Sequence, residues 1–371
     1  MKKFIIIIFL LAGPTCLAAD VVKDPDAPTG REERIVAPLP ILFYTPETSL
    51  LFGVTLLYFI ETPNSYPGKN DTYSLYGVYT LKNQLIAGFT TETYLGGKDW
   101  LVKGASSFSR FPDRYFGYGP HTSLQDEEKY TPMQFRVTGT LMRRIWGDFY
   151  IGPRFEEFYY SISKKEPNGK LAVLDVPGKS GGLCSGIGAE AKWDSRDNPF
   201  YPSSGIYTQI RYTHYGRYLG SRYNFYSVVI DHRQYFSFYE NHVIAFQYFM
   251  CLGNGDTPFP MMAMLGGAAL LRGYYMGRYR DRNLVAAQIE YRFPVWWRFG
   301  GALFGGAGQV AHTPGGLDLR DMKAAGGIGL RFMMHEGKKI NYRVDFALYD
   351  TRVRVKDKDA WGIYLSITEA Y

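Results

Sequence analysis

The residue patterns that most often mark catalysis fail in this sequence on spacing. Gly178-Lys179-Ser180 looks like the end of a phosphate-binding loop, but Val173 stands where the first glycine is required. There is no Gly-x-Ser-x-Gly elbow, and the six histidines, including His214, His232 and His242, lack metal-ligand spacing. The sequence therefore predicts no enzyme, no cofactor and no metal. What remains is arginines and carboxylates gathered around one long interruption, Gly253 to Arg282. It holds Leu271-Arg272-Gly273-Tyr274 and Gly277-Arg278-Tyr279-Arg280-Asp281, and leads into Glu290-Tyr291-Arg292-Phe293-Pro294. Loops of that length in compact folds are functional or disordered. A second set, Asp194, Arg196, Asp197, Asn198, Pro199, Pro202 and Gly205, has the composition of a tight turn held by side-chain-to-backbone bonds.

The segments that must position these groups alternate. Val285, Ala287, Ile289, Tyr291 and Phe293 share one face, while Gln288, Glu290 and Arg292 share the other. Ile340 to Tyr349 and Trp361 to Thr368 repeat the pattern, and a period of two means strands. The composition agrees, since 31 Tyr, 25 Phe and 41 Gly suit a sheet better than a helical bundle. Lys2 and Lys3 precede the apolar run Phe4 to Ala12, and Ala18 and Ala19 follow, the three-part pattern of a secretory signal. That run is too short to span a bilayer. The net charge of +7 loses two lysines with the signal, and the remaining charges interleave. No stripe matches a phosphate backbone, so nucleic acid is excluded as a partner. Cys184 and Cys251 fall on strands separated by two others, which predicts free thiols.

Secretion, strands of about ten residues and aromatics at strand ends point to a barrel in a membrane. In hydrocarbon such a sheet must close on itself. At roughly 21 residues per strand and loop, the chain from Pro38 makes about 16 strands. The fold predicted is all-β, a 16-stranded antiparallel transmembrane β-barrel with both ends periplasmic. The predicted organisation is a signal peptide over 1–19, a short periplasmic segment over 20–37 and the barrel over 38–371. The first strand is placed at 38–45 and the last at 360–370.

The chain resembles the barrels of the BamA/TamA outer-membrane family, the bacterial surface antigen superfamily. Leu271-Arg272-Gly273-Tyr274 is similar to the family's loop motif, Trp193 to Gly205 to its strand-turn signature, and Tyr44-Thr45-Pro46-Glu47-Thr48 to its first hairpin. The resemblance implies a long loop folded into the lumen, where Arg272 bonds acidic residues of the wall. Glu290, inward by alternation, matches the first acidic partner. The second is Gly306 here, with Asp345 a candidate substitute beside Arg343 and Arg331. Glycines at 300, 301, 305, 306, 308, 326, 327 and 329 would leave room for the loop, or merely permit strand coiling. Gly362, Leu365 and Ile367 fit the family's C-terminal assembly signal, while Glu369 occupies a position normally apolar.

The family's periplasmic polypeptide-transport-associated domains do not fit before the barrel, so a barrel-only member is expected. The function implied is insertion or translocation of polypeptides, or of lipids, at a seam between the first and last strands. Pro38 and Pro40, without backbone donors, predict that the seam is weak. The partners implied are outer-membrane lipid, unfolded polypeptides and a periplasmic protein. Two alternatives stand behind this reading: a channel or surface-exposed binding barrel, and a passive stabiliser of the outer membrane.

Overall fold

The structure, a computed structural model, describes residues 33–61, 71–335, 339–349 and 361–371. The predicted signal peptide lies outside the described residues. Sixteen strands form the wall: β1 (Glu33–Thr45), β2 (Ser49–Glu61), β3 (Asp71–Thr80), β4 (Leu85–Leu95), β5 (Trp100–Arg110), β6 (Glu128–Trp146), β7 (Phe149–Lys165) and β8 (Gly182–Asp194), then β9 (Gly205–Tyr215), β10 (Phe225–Tyr239), β11 (His242–Gly255), β12 (Asn283–Trp296), β13 (Phe299–Ala311), β14 (Lys323–His335), β15 (Ile340–Tyr349) and β16 (Trp361–Ile367). Each pairs antiparallel with its neighbours in sequence, and β1 also meets β16, closing the barrel.

Alternation sorts the side chains. Along β12, Ile289 is exposed to the outside while Gln288, Glu290 and Arg292 are buried within. Tight turns at 147–148, 240–241 and 297–298 join strands at one end, and the long connections 111–127, 166–181 and 256–282 lie at the other. Gly147, Asn241 and Trp297 adopt positive φ, as the tightest hairpins require. Short turns mark the periplasmic end of such a barrel. There Trp146, Phe238, Tyr239, Trp296 and Trp297 are exposed as an interfacial girdle, with Tyr79, Tyr218 and Trp361 at the opposite end.

Two boundaries differ from expectation. β1 begins at Glu33, so 33–37 belong to the wall rather than to the lead. β16 stops at Ile367, because Thr368 takes φ 67° and turns the chain inward. Continuing the strand would have put the Glu369 carboxylate on the lipid face, where charge is costly.

The seam is thin. β1 and β2 pair along their whole length, from Glu33 with Glu61 to Thr45 with Ser49, whereas β1 meets β16 in one register pair, Tyr44 with Leu365. The β2 ladder runs through Pro38 and Pro40 without a shift, so the missing pairing lies on the seam edge.

The loop 256–282 enters the lumen. Leu265, Leu271, Tyr274 and Tyr279 are buried against Cys251, Leu284, Ala286 and Val310 of β11, β12 and β13. Each apolar side chain so buried stabilises the inserted state by about 1.5–3 kcal/mol. Cys184 and Cys251 are both free and buried.

Candidate functional site

Inside the lumen the loop is folded as a hairpin. Ala263–Leu265 pairs with Tyr279–Asp281, and Gly267 N donates to Tyr274 O at 3.0 Å. Leu271, with φ 56°, and Gly273, with φ 119°, flank Arg272. A left-handed leucine costs roughly 1–2 kcal/mol, strain of the kind retained where geometry matters. The wall holds this tip directly: Leu271 N donates to Gln288 Oε1 at 3.1 Å and Gly273 N to Tyr364 Oη at 2.9 Å. Tyr274 Oη donates to Ala324 O at 3.2 Å.

Arg272 is brought to two carboxylates at once. Nη2 reaches Glu290 Oε2 and Nη1 reaches Asp345 Oδ2, each at 2.5 Å. The guanidinium lies 3.5 Å from the centroid of Phe304, whose ring face offers further attraction to a cation. Arg331 bridges the same pair, at 2.6 Å to Asp345 Oδ1 and 3.3 Å to Glu290 Oε1. Arg343 stands farther out, 3.6 Å from Asp345, with Nε donating to Ser366 Oγ at 2.6 Å. The structure thus brings Arg272, Glu290, Asp345, Arg331 and Arg343 into one buried cluster. Buried charges persist only when paired and hydrogen-bonded, and here each carboxylate serves several guanidinium groups.

The position that resemblance reserved for a second acid has no space for one. Gly306 lies opposite Gln288, and a Cβ there would sit 2.7 Å from Gln288 Cβ. Gln288 uses the room to hold the loop, bonding Ala269 O and Leu271 N. The glycine expectation holds for some positions only. By strand pairing and alternation, 300, 306, 308, 327 and 329 face the lumen, while 301, 305 and 326 face outward. At Gly329 a Cβ would meet Arg331 Nη1 and Asp345 Oδ1 at 2.3 Å each. Gly329→Ala is expected to push that ion pair apart and destabilise the barrel by about 1–3 kcal/mol, read as an earlier urea unfolding midpoint.

The cluster holds a third carboxylate that strand alternation does not place there. Glu369, turned in by Thr368, bonds Arg331 Nε at 2.8 Å and accepts from Asn341 Nδ2 at 3.2 Å. Arg292 joins Glu290 at 2.8 Å, approaches Glu369 at 3.7 Å and donates to Tyr371 O at 2.9 Å. Tyr371 is buried with Tyr235 and Ala245 of β10 and β11, so residues 368–371 reach across the periplasmic end of the lumen. The available signal was Glu369 itself, a carboxylate at what would have been a lipid-facing position. Glu369→Gln is expected to loosen this segment, seen as faster amide exchange over 368–371 with the Arg272 contacts retained.

The second motif behaves as a turn. Asp194 accepts from Arg196 Nε and Nη2 at 2.8 and 2.9 Å, and Asp197 accepts from the amides of Ser203 and Ser204. Gly205 takes φ 97°. The turn also touches the cluster, since Pro202 O accepts from Arg292 Nη1 at 3.3 Å.

Toward the outside, the loop is tied to other connections. Met276 N donates to Glu47 Oε1 at 2.7 Å, Tyr275 Oη to Asp113 Oδ1 at 2.8 Å, and Arg278 to Thr122 O and Oγ1 at 2.8 Å. Burial holds the Glu47 and Asp113 carboxyls above their ordinary range.

The sequence matches the Omp85 superfamily domain over residues 66–367. Among solved structures, BamA from Haemophilus ducreyi lacking POTRA domains 1-3 is similar in fold, with a TM-score of 0.61 at 13% identity over 90% of this chain and 70% of that one. CdiB from Acinetobacter baumannii gives a TM-score of 0.55 at 12% identity over 88% of this chain and 58% of that one. CdiB from Escherichia coli gives 0.55 at 10% identity, over 91% and 67%. The curated proteins give no match.

Proposed function

Because this chain belongs to the Omp85 superfamily, we propose that this Gram-negative outer-membrane barrel inserts or translocates polypeptides, with the junction of β1 and β16 as its opening. The observation that carries the reading is the single register pair across that junction. One antiparallel pair makes at most two backbone hydrogen bonds, so parting the strands costs about 1–3 kcal/mol, less than at any fully laddered pair. The seam edge of β1 then presents carbonyls, and amides except at Pro38 and Pro40, on which an extended segment adds as a strand. Outer-membrane lipid, unfolded polypeptides and a periplasmic delivery protein are the partners this requires.

The Arg272 cluster supports the seam from within. Tyr364 and Ser366 of β16 bond Gly273 and Arg343, so the last strand is held by the lumen as much as by β1. A porin-like channel needs an open bore, and here the loop 256–282 packs against the inner wall and residues 368–371 reach across the periplasmic end.

The test is a quantitative inventory of outer-membrane proteins and lipids after depletion, with small-solute permeability recorded on the same cells. Loss of a defined set of proteins supports the proposal and names the substrates. An unchanged inventory with altered permeability replaces it with a channel.

A further inference from the structure

The inserted loop packs its tip on β11–β13 and Phe259 and Met262 against Tyr115 and Tyr130, and leaves a cavity of about 610 Å³ between its residues 260–270 and the wall from β6 to β11. That volume suits a small ligand. Its wall carries Arg136, Arg154, Arg211 and Arg233 against Glu156 and Asp231. The carboxylates are already committed: Glu156 to Arg136 and Arg154, and Asp231 to Arg233 and Gln247.

Arg211 is the cation left over. It projects inward from β9, yet among the described residues it pairs with no carboxylate and bonds no acceptor. Its cross-strand neighbour Glu190 is spent on Lys103, Thr140, Arg154 and Gln209. Other donors on the same wall are underused. Arg136 Nη2 rests 3.5 Å from Met261 Sδ, a weak acceptor, and Arg154 Nε is buried with no partner. Arg211 is half-exposed to this space, and a guanidinium's planar fork matches carboxylate and phosphate. Facing them, Phe249, Met262 and Leu270 supply an apolar side.

We propose that this cavity binds a small amphiphilic anion, its carboxylate or phosphate head on Arg211 and its apolar body against Phe249 and the loop. The site lies away from the seam and stands or falls independently of the translocation reading.

The test is calorimetric titration of the full chain in nanodiscs with hexyl phosphate. Hexanoate, inorganic phosphate and hexyltrimethylammonium are titrated in parallel. Saturable binding of hexyl phosphate or hexanoate, at least tenfold weaker in Arg211→Gln and partly kept in Arg211→Lys, is the expected result. Only variants that retain the folded barrel's gel mobility are compared, and Arg320→Gln, on an exposed connection, controls for general charge. Absence of saturable binding, unchanged affinity in Arg211→Gln, or equal binding of the cationic analogue would overturn the site. Inorganic phosphate binding as tightly as hexyl phosphate would overturn its amphiphilic character.

Discussion

Arg272→Ala is expected to destabilise the folded barrel by about 3–5 kcal/mol, the scale of breaking one partner out of a buried ion pair. The change removes both 2.5 Å bonds, to Glu290 and Asp345, and the contact with the Phe304 ring. Arg292, Arg331 and Arg343 remain beside those carboxylates, which places the loss toward the lower end of the range. Arg278→Ala is the comparison, because Arg278 is also buried in the loop but bonds only the neutral oxygens of Thr122. Its loss is expected to cost about 1–2 kcal/mol. Arg272→Lys should fall between Arg272→Ala and the native chain, since an ammonium keeps the charge but lacks the planar fork that reaches both carboxylates and lies on the Phe304 ring. Urea midpoints of the refolded barrel, followed by the gel mobility shift between folded and unfolded chain, rank the three. Equal tolerance of Arg272→Ala and Arg278→Ala would remove the argument that the inserted loop is held at Arg272.

Much of this cluster could be read in the chain because a strand's side-chain period is two. Once β12 was placed, Glu290 had to face inward, and Asp345 and Arg331 followed by the same parity on β15 and β14. Parity works only where the strand continues, and it failed at the last one. Nothing in the alternation of Trp361 to Ile367 announces a left-handed Thr368, so a strand over 360–370 places Glu369 in a wall it does not enter. The loop's path was legible only as a resemblance, since no local pattern says that residues 256–282 turn into a lumen rather than into solvent. Gly306 was puzzling for a related reason. Its smallness serves Gln288 on the neighbouring strand, a pairing visible only with the register known. The cavity under Arg211 was likewise out of reach, because it depends on which part of the wall the loop leaves uncovered.

Locking the seam is expected to have the largest effect on activity. Tyr44 and Leu365 are directly paired, and antiparallel partners have Cα atoms about 4.5–5.5 Å apart, within the range a disulfide spans. Tyr44→Cys with Leu365→Cys, in a chain whose Cys184 and Cys251 are replaced by Ala, should oxidise readily and leave the barrel folded. If polypeptides leave or enter between β1 and β16, the oxidised form fails to complement depletion and a reductant restores it. The control shares one substitution: Tyr44→Cys with Leu50→Cys links β1 to β2, where the ladder is already continuous, and should cost nothing. The contrast is sharp because a covalent bond replaces about 1–3 kcal/mol of pairing at one junction and merely adds to a full ladder at the other. Full activity of the oxidised Tyr44–Leu365 form would sink the seam. Since the inserted loop packs into the lumen and residues 368–371 reach across its periplasmic end, activity that survived the lock would then require passage through the space these segments narrow. Glu369→Gln combined with the lock would separate these routes, because loosening residues 368–371 raises passage through the lumen and leaves a locked seam shut.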